Sequence, residues 1–331
     1  MLTKRQNFIE TVKGGNPDRF VNQYEAIEFI IETPYFRRWG GFSKPEGDTL
    51  FVDPWGITQQ YREDQPGRFP LHDDEHIVLK DVTSWKETVK FPSLDYDESE
   101  WDECKAAADL IDRSQVFASA LHVPGVFDQL HYLMGMEECM LSFYTEPEAT
   151  KELINALTEW ELAYAKLYCD YLKPDMVFHH DDWGSQRSTF LSPEMFDEFI
   201  FPSYKKIYGY YKSRGAEFVV HHSDSYAETL VPYMIEMGID VFQGCIDTNN
   251  IPELIKKYGG KISFMGGINN GTVDVPNWDD KLVSSTVEKV CRENGTKYFI
   301  PCMTAGGPAS SYPGVYDAVT REIDAMSKIM F

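Results

Sequence analysis

Between Lys4 and Lys13 apolar residues recur at helical spacing, and Gly14-Gly15-Asn16-Pro17 ends the pattern, which predicts an N-terminal helix. Phe20–Ala26 reads as a first strand. After it comes a long excursion rich in Gly, Pro and aromatic residues, with a hairpin predicted near Thr49 to Gln60. From about residue 100 onward, short β-branched or aromatic runs alternate with helical segments, the pattern of parallel strands joined by crossover helices. The candidate strands there are Gln115–Leu121, Asp175–His180, Glu217–His222, Asp240–Cys245, Lys261–Gly266 and Lys297–Cys302.

With Phe20–Ala26 these make seven, and an eighth strand is expected inside the excursion. The expected architecture is α/β: a single (β/α)8 TIM barrel with an N-terminal helix and an aromatic-rich insertion after the first strand, residues 1–331 forming one domain. The length also allows two small domains, but no Pro-rich or low-complexity linker and no internal repeat divides the chain.

Composition narrows the function classes. A hydrophobic fraction of 43% supports a large core, and no run is long and apolar enough to cross a bilayer. Acidic residues outnumber basic ones by 53 to 31, a formal charge of −22, so nucleic acid and anionic membranes are not expected partners. The N-terminal stretch has no apolar core and cleavage site of a secretory signal, which predicts a cytoplasmic protein. Its six cysteines are scattered without a CxxC pair, so each is a core thiol or a candidate ligand rather than part of a disulfide framework.

The candidate strands end in reactive residues: His179-His180-Asp181-Asp182, His221-His222-Ser223-Asp224, Gln243-Gly244-Cys245, Gly266-Gly267 and Pro301-Cys302. In a barrel these ends converge at one mouth. Side chains two apart on a strand share a face, so His222 and Asp224 can look at one centre while His221 packs outward. An imidazole, a carboxylate and the thiolate of Cys302 would make a three-ligand Zn²⁺ site with one position open. The same residues also read as a hydrogen-bonded pair capping the next helix beside a buried thiol. His180, Asp181 and Asp182 are the candidate catalytic group, binding substrate or orienting a ligand histidine, although Asp182 also suits a cap of the turn at Gly184-Ser185. Cys245, His180 and Glu25 are further candidates for the metal shell. Gly266-Gly267 reads either as a tight turn after a strand or as an anion-binding backbone. Trp183, Trp39, Phe42 and Tyr24 are the candidate walls of a flat apolar substrate pocket, the excursion aromatics having simple packing as their other reading.

The stretch from Asp181-Asp182-Trp through Leu191-Ser-Pro-Glu to Pro202, then Val219-Val-His-His-Ser-Asp-Ser225, then Glu236-Met-Gly-Ile-Asp-Val-Phe-Gln243, resembles the uroporphyrinogen decarboxylase superfamily, as do Arg5-Gln-Asn-Phe and Asn16-Pro-Asp-Arg19. The resemblance runs along essentially the whole chain and implies the same barrel. True decarboxylases of that family carry an Arg-Gln-Ala-Gly-Arg run that binds the substrate's carboxylates. Here Tyr24-Glu-Ala-Ile-Glu28 stands instead, and a cleft holding Glu25, Glu28, Asp181 and Asp182 would repel a polycarboxylate.

The sequence is more similar to the cobamide-dependent methyltransferase branch, whose zinc motif is His-x-Cys with a later Cys. His222, Asp224 and Cys302 match it with Asp in the middle place, which implies a harder site suited to an oxygen leaving group. Phe299-Ile-Pro-Cys-Met-Thr-Ala-Gly-Gly-Pro308 and Tyr312-Pro-Gly-Val-Tyr316 resemble the vanillate- or veratrol-type O-demethylase methyltransferases. The implied activity is zinc-dependent transfer of a methyl group from a small methoxylated aromatic donor to the cobalamin of a separate corrinoid protein, with a homodimer as one possible assembly. A methyltransferase for thiols or another donor, and a decarboxylase-like lyase, are the rival readings.

Overall fold

The computed structural model describes residues 1–42, 45–62, 67–305, 307 and 312–331. Gly306 and Pro308 of the C-terminal motif lie outside them. Ten strands are described: β1 (Ile27–Ile30), β2 (Thr49–Val52), β3 (Thr58–Tyr61), β4 (Arg68–Pro70), β5 (Phe117–His122), β6 (Met176–His180), β7 (Phe218–His222), β8 (Val241–Cys245), β9 (Ser263–Ile268) and β10 (Phe299–Met303). Seven of them form one parallel sheet in the order β1-β5-β6-β7-β8-β9-β10, and β2-β3-β4 form a separate antiparallel sheet. From β5 to β10 every strand residue but His180 is buried, because both faces of the sheet are covered, and this explains the near-continuous apolar runs.

The two faces carry separate hydrophobic clusters. Phe117, Leu121, Met176, Phe178, Phe218, Val220, Val241, Met265, Ile300 and Cys302 share the concave inner face. Ala118, Ala120, Val177, Val219, Phe242, Phe264 and Phe299 face the surrounding helices. The predicted helix Lys4–Lys13 is present, held at its start by a Thr3–Gln6 capping box. Its Phe8 ring packs 5.2 Å from Phe117 and 5.4 Å from Phe218, both at the N-terminal ends of their strands. That end of the curled sheet is therefore plugged by apolar side chains, and the opposite end is left for polar chemistry.

Three expectations change. The first strand is Ile27–Ile30, not Phe20–Ala26. Asn22, Gln23 and Glu25 break the alternation, Gln23 sits at φ +52°, and the segment turns because Asn22 and Gln23 bond to Thr320 and Asp324 of the C-terminal helix Val315–Met330. No eighth parallel strand is found among the described residues. The excursion supplies the antiparallel sheet instead, in the region of the predicted hairpin, and the large sheet is a seven-stranded half-barrel. Between β10 and β1, Gln23 reaches across: its amide donates to Pro301 O at 3.3 Å and its side-chain oxygen accepts from Met303 N at 3.4 Å.

Third, Gly266-Gly267 lies inside β9 rather than in a turn after it. A bulge in β8 between Gln243 and Cys245 brings the Cys245 backbone so close that a Cβ on Gly266 would lie 2.5 Å from Cys245 O. The extra residue of the bulge, Gly244 at φ +81°, also reverses the side on which Cys245 emerges, so its thiol joins the helix-side cluster. All six cysteines are free and buried. No described helix is long and apolar enough to cross a membrane.

Candidate active site

At the C-terminal end of the inner face, His180 and His222 are register partners on β6 and β7, and their rings stack at 4.4 Å. Each is oriented from behind through Nδ1. His222 Nδ1–H donates to Gln243 Oε1 on β8, and His180 Nδ1–H donates to Asp128 Oδ2 at 3.2 Å. Both Nε2 atoms are thereby left free, the arrangement that fixes a ligand tautomer. Asp128 belongs to the helix Val126–Met134, and its other oxygen accepts from His131 Nε2 at 3.1 Å. Asp182 accepts from the Asp224 amide at 3.0 Å. His180, Asp182 and His222 bring ligand atoms within 4.8 Å of one another.

Charge in this group is unbalanced. Burial works to lower the pKa of His180, but the carboxylates of Asp182, Asp128 and Asp224 outweigh it and lift the group to about 10. Burial and the His180 charge hold His222 neutral, near 3. Asp182 and Asp224 are both pushed up, first by burial and then by Asp128, with His180 opposing. Three carboxylates thus share one imidazolium, and a divalent cation would relieve the excess.

Cys302 is fully buried on the same face, where burial pushes its thiol pKa up. Tyr24 and Gln243 stand ready to donate to a thiolate there, and the Gln243 amide nitrogen is buried without a partner. The donor chemistry therefore fits a metal ion. His222 is common to the predicted set and to the observed trio, whereas Asp224 and Cys302 belong to no trio of ligand atoms among the described residues.

The structure separates the remaining candidates by strand parity. Asp181 points to the helix side, fully buried, where its carboxylate accepts from the amides of Phe127 (3.1 Å) and Asp128 (2.6 Å), from Trp183 Nε1 (2.8 Å) and from Tyr204 OH. Four donors use up its lone pairs, so it caps the helix Val126–Met134 and cannot also hold substrate. Trp183 is 2% exposed and stacks on His221 at 3.7 Å, behind the sheet rather than in a pocket wall. Phe42 is 59% exposed and touches the edge of Phe36. Trp39 is half-buried against Phe36. Glu25 bonds to the Asn22 amide, and Glu28 is exposed, so neither lines the cleft.

Of the predicted walls only Tyr24 stands beside Cys302. The aromatic surface continues through Phe29 and Phe178, whose rings meet at 5.2 Å, with Phe178 6.0 Å from His222. Sequence reasoning missed Asp128, the orienting role of Gln243, and the Phe29–Phe178 wall. Phe178 was legible, lying two residues before His180 on the same face, and so was the acid in the first turn of the helix after β5.

A sequence model of the family described as Uroporphyrinogen decarboxylase (URO-D) matches residues 103–321. A curated protein of Methanosarcina mazei, "Methylated-thiol--coenzyme M methyltransferase", is 26% identical over 137 residues, which is 41% of this chain. The match spans 35% of that relative's length, about a third. A solved structure, "methyltransferase from Methanosarcina mazei", superposes with a TM-score of 0.65 at 12% identity, covering 98% of this chain and 99% of that one, which shows a shared fold.

Proposed function

The chain belongs to the uroporphyrinogen decarboxylase family, and on that premise we propose that it is a zinc-dependent methyltransferase that passes a methyl group from a methoxylated aromatic donor to the corrinoid of a separate protein. The observation that carries this reading is the inner-face constellation of His180, Asp182 and His222, with Asp224 and Cys302 beside it and an aromatic wall leading to it. The methyltransferase name of the M. mazei relative supports the reaction class. A polycarboxylate substrate is disfavoured because the charges gathered at this mouth are mainly acidic.

His222, His180 and Asp182 would hold the ion, with Asp224 and the Cys302 thiolate as the further donors of the site. When bound, zinc would supply Lewis-acid stabilisation of the leaving heteroatom. The rest falls to the chain's own residues. Gln243 and Asp128 fix the two imidazoles, while Tyr24, Phe29 and Phe178 offer a flat apolar surface on which an aromatic ring is oriented and water excluded. Oxygen and nitrogen donors outnumber the single thiol, which favours an oxygen-linked methyl group over a sulfur-linked one.

A second reading, a methylated thiol as donor, is favoured by the printed name of the relative. The test is zinc content together with methyl transfer to cob(I)alamin from methoxyphenols and from methylated thiols. The expected result is zinc bound at this site, lost in His222→Ala and weakened in Cys302→Ala, with turnover of the methoxyphenol. Turnover of the thioether alone moves the assignment to the second reading. Unchanged zinc in His222→Ala overturns the site.

A further inference from the structure

Behind the sheet, on the side facing the helices, a second group of metal-type donors comes together. His122 ends β5 and His179 lies beside it on β6, register partners whose rings stack at 4.7 Å. Glu161, from the long helix Pro147–Tyr171, reaches down between them. Its Oε2 is 3.1 Å from His179 Nε2 and 3.7 Å from His122 Nε2. A tetrahedral ion with bonds of about 2.0–2.1 Å sets neighbouring ligand atoms about 3.3 Å apart. The two observed separations bracket that value, and the three ligand atoms lie within 4.8 Å of one another.

The surroundings call for something besides protein. Glu161 is 3% exposed, and its ion-pair partners among the described residues are these two imidazoles, with no Lys or Arg. A carboxylate so placed is costly unless a proton or a cation accompanies it. Nδ1 of His122, Nδ1 of His179 and Nε2 of Gln129 are all buried without a hydrogen-bond partner. Orphans of this kind are rare in folded proteins and call for water; the two Nδ1 atoms lie across their rings from Nε2, so it is the spacing of the Nε2 and Oε2 atoms, not these orphans, that marks the place of an ion. His122, Glu161 and Gln129 line one small cavity with Tyr35, Trp55 and Trp160, which leaves room for one water beside the two ligands that face it.

We infer that His122, Glu161 and His179 form a second divalent-cation site, of the zinc class and without sulfur, that ties β5 and β6 to the helix Pro147–Tyr171. It stands apart from the inner-face group and takes no part in methyl transfer. The chelator-treated full chain, titrated with Zn²⁺ and desalted, would retain two ions per chain, and Glu161→Gln would retain one. The Co²⁺-substituted second site would contribute a tetrahedral visible spectrum with no sulfur-to-metal band, and this contribution would vanish in Glu161→Gln. His122→Gln gives the same reading should Glu161→Gln fail to fold.

An unchanged ion count in both variants overturns the inference and assigns the cavity to water. The inner-face site is judged separately. His222→Ala should also retain one ion, and if it instead retains the full count while Glu161→Gln loses one, the first site fails and the second stands.

Discussion

His179 and His180 are sequence neighbours, as are His221 and His222, yet the two members of each pair live in different chemistry. His180 and His222 face the inner mouth, stacked on each other, with Nε2 free and acids around them. His179 and His221 face the helices, fully buried, the first against Glu161 and the second between Trp183, Tyr208 and the Asp181 carbonyl. Alternation along the strand produces the split. A doublet of histidines at the end of a parallel strand thus supplies one group to the mouth and one to the layer that holds the mouth in place. Asp181 and Asp182 divide in the same way, the first spending its oxygens on four donors while the second meets His180.

The sharpest way to break this division is Asp181→Ala. It leaves Tyr204 OH, Trp183 Nε1 and two helix amides without an acceptor in a dry layer, and a loss of about 3–5 kcal/mol in urea unfolding is expected. Retained stability with lost zinc at the inner site would mean that Asp181 serves the mouth after all.

A smaller effect sharpens the inner side. Asp128→Asn keeps the shape but weakens the hold on His180 Nδ1–H, and inner-site zinc affinity, read by chelator competition, should fall about 10- to 100-fold. Stability should change far less than for Asp181→Ala.

Tyr208→Phe is the gentlest probe. It removes the bond to His221 Nδ1, 2.7 Å long, and should cost about 1 kcal/mol in the same unfolding experiment while leaving inner-site zinc and turnover unchanged. A loss of turnover would show that the helix-side layer tunes the mouth rather than merely supporting it.

Much of this was legible beforehand. Period-two reasoning placed His222 inward and His221 outward, and the strands after β4 were found to within two residues, because buried parallel strands announce themselves as short apolar runs ending in polar residues. The same reasoning applied to Asp175–His180 would have separated Asp181 from Asp182 and picked out Phe178. The excursion was harder to read for another reason. On composition its aromatics read equally as a pocket or as simple packing, and packing is what Trp55 and Tyr35 do with Trp160 of a distant helix, while Phe42 remains in solvent. Cys245 was beyond reach, since a single bulged glycine reverses its side and nothing local distinguishes a bulge from a turn.

What the sequence determined by itself was the α/β class, the alternation of parallel strands and helices, and the gathering of reactive groups at the strands' C-terminal ends. These follow from periodicities of two and 3.6 residues that each segment carries alone. Only the tertiary structure decided which acid meets which imidazole, that Asp128 and Gln243 stand behind the inner histidines, and that Glu161 crosses from a helix to His122 and His179. Such pairings join residues far apart in the chain, and their geometry is set by how strands curl and helices pack, which no local pattern encodes.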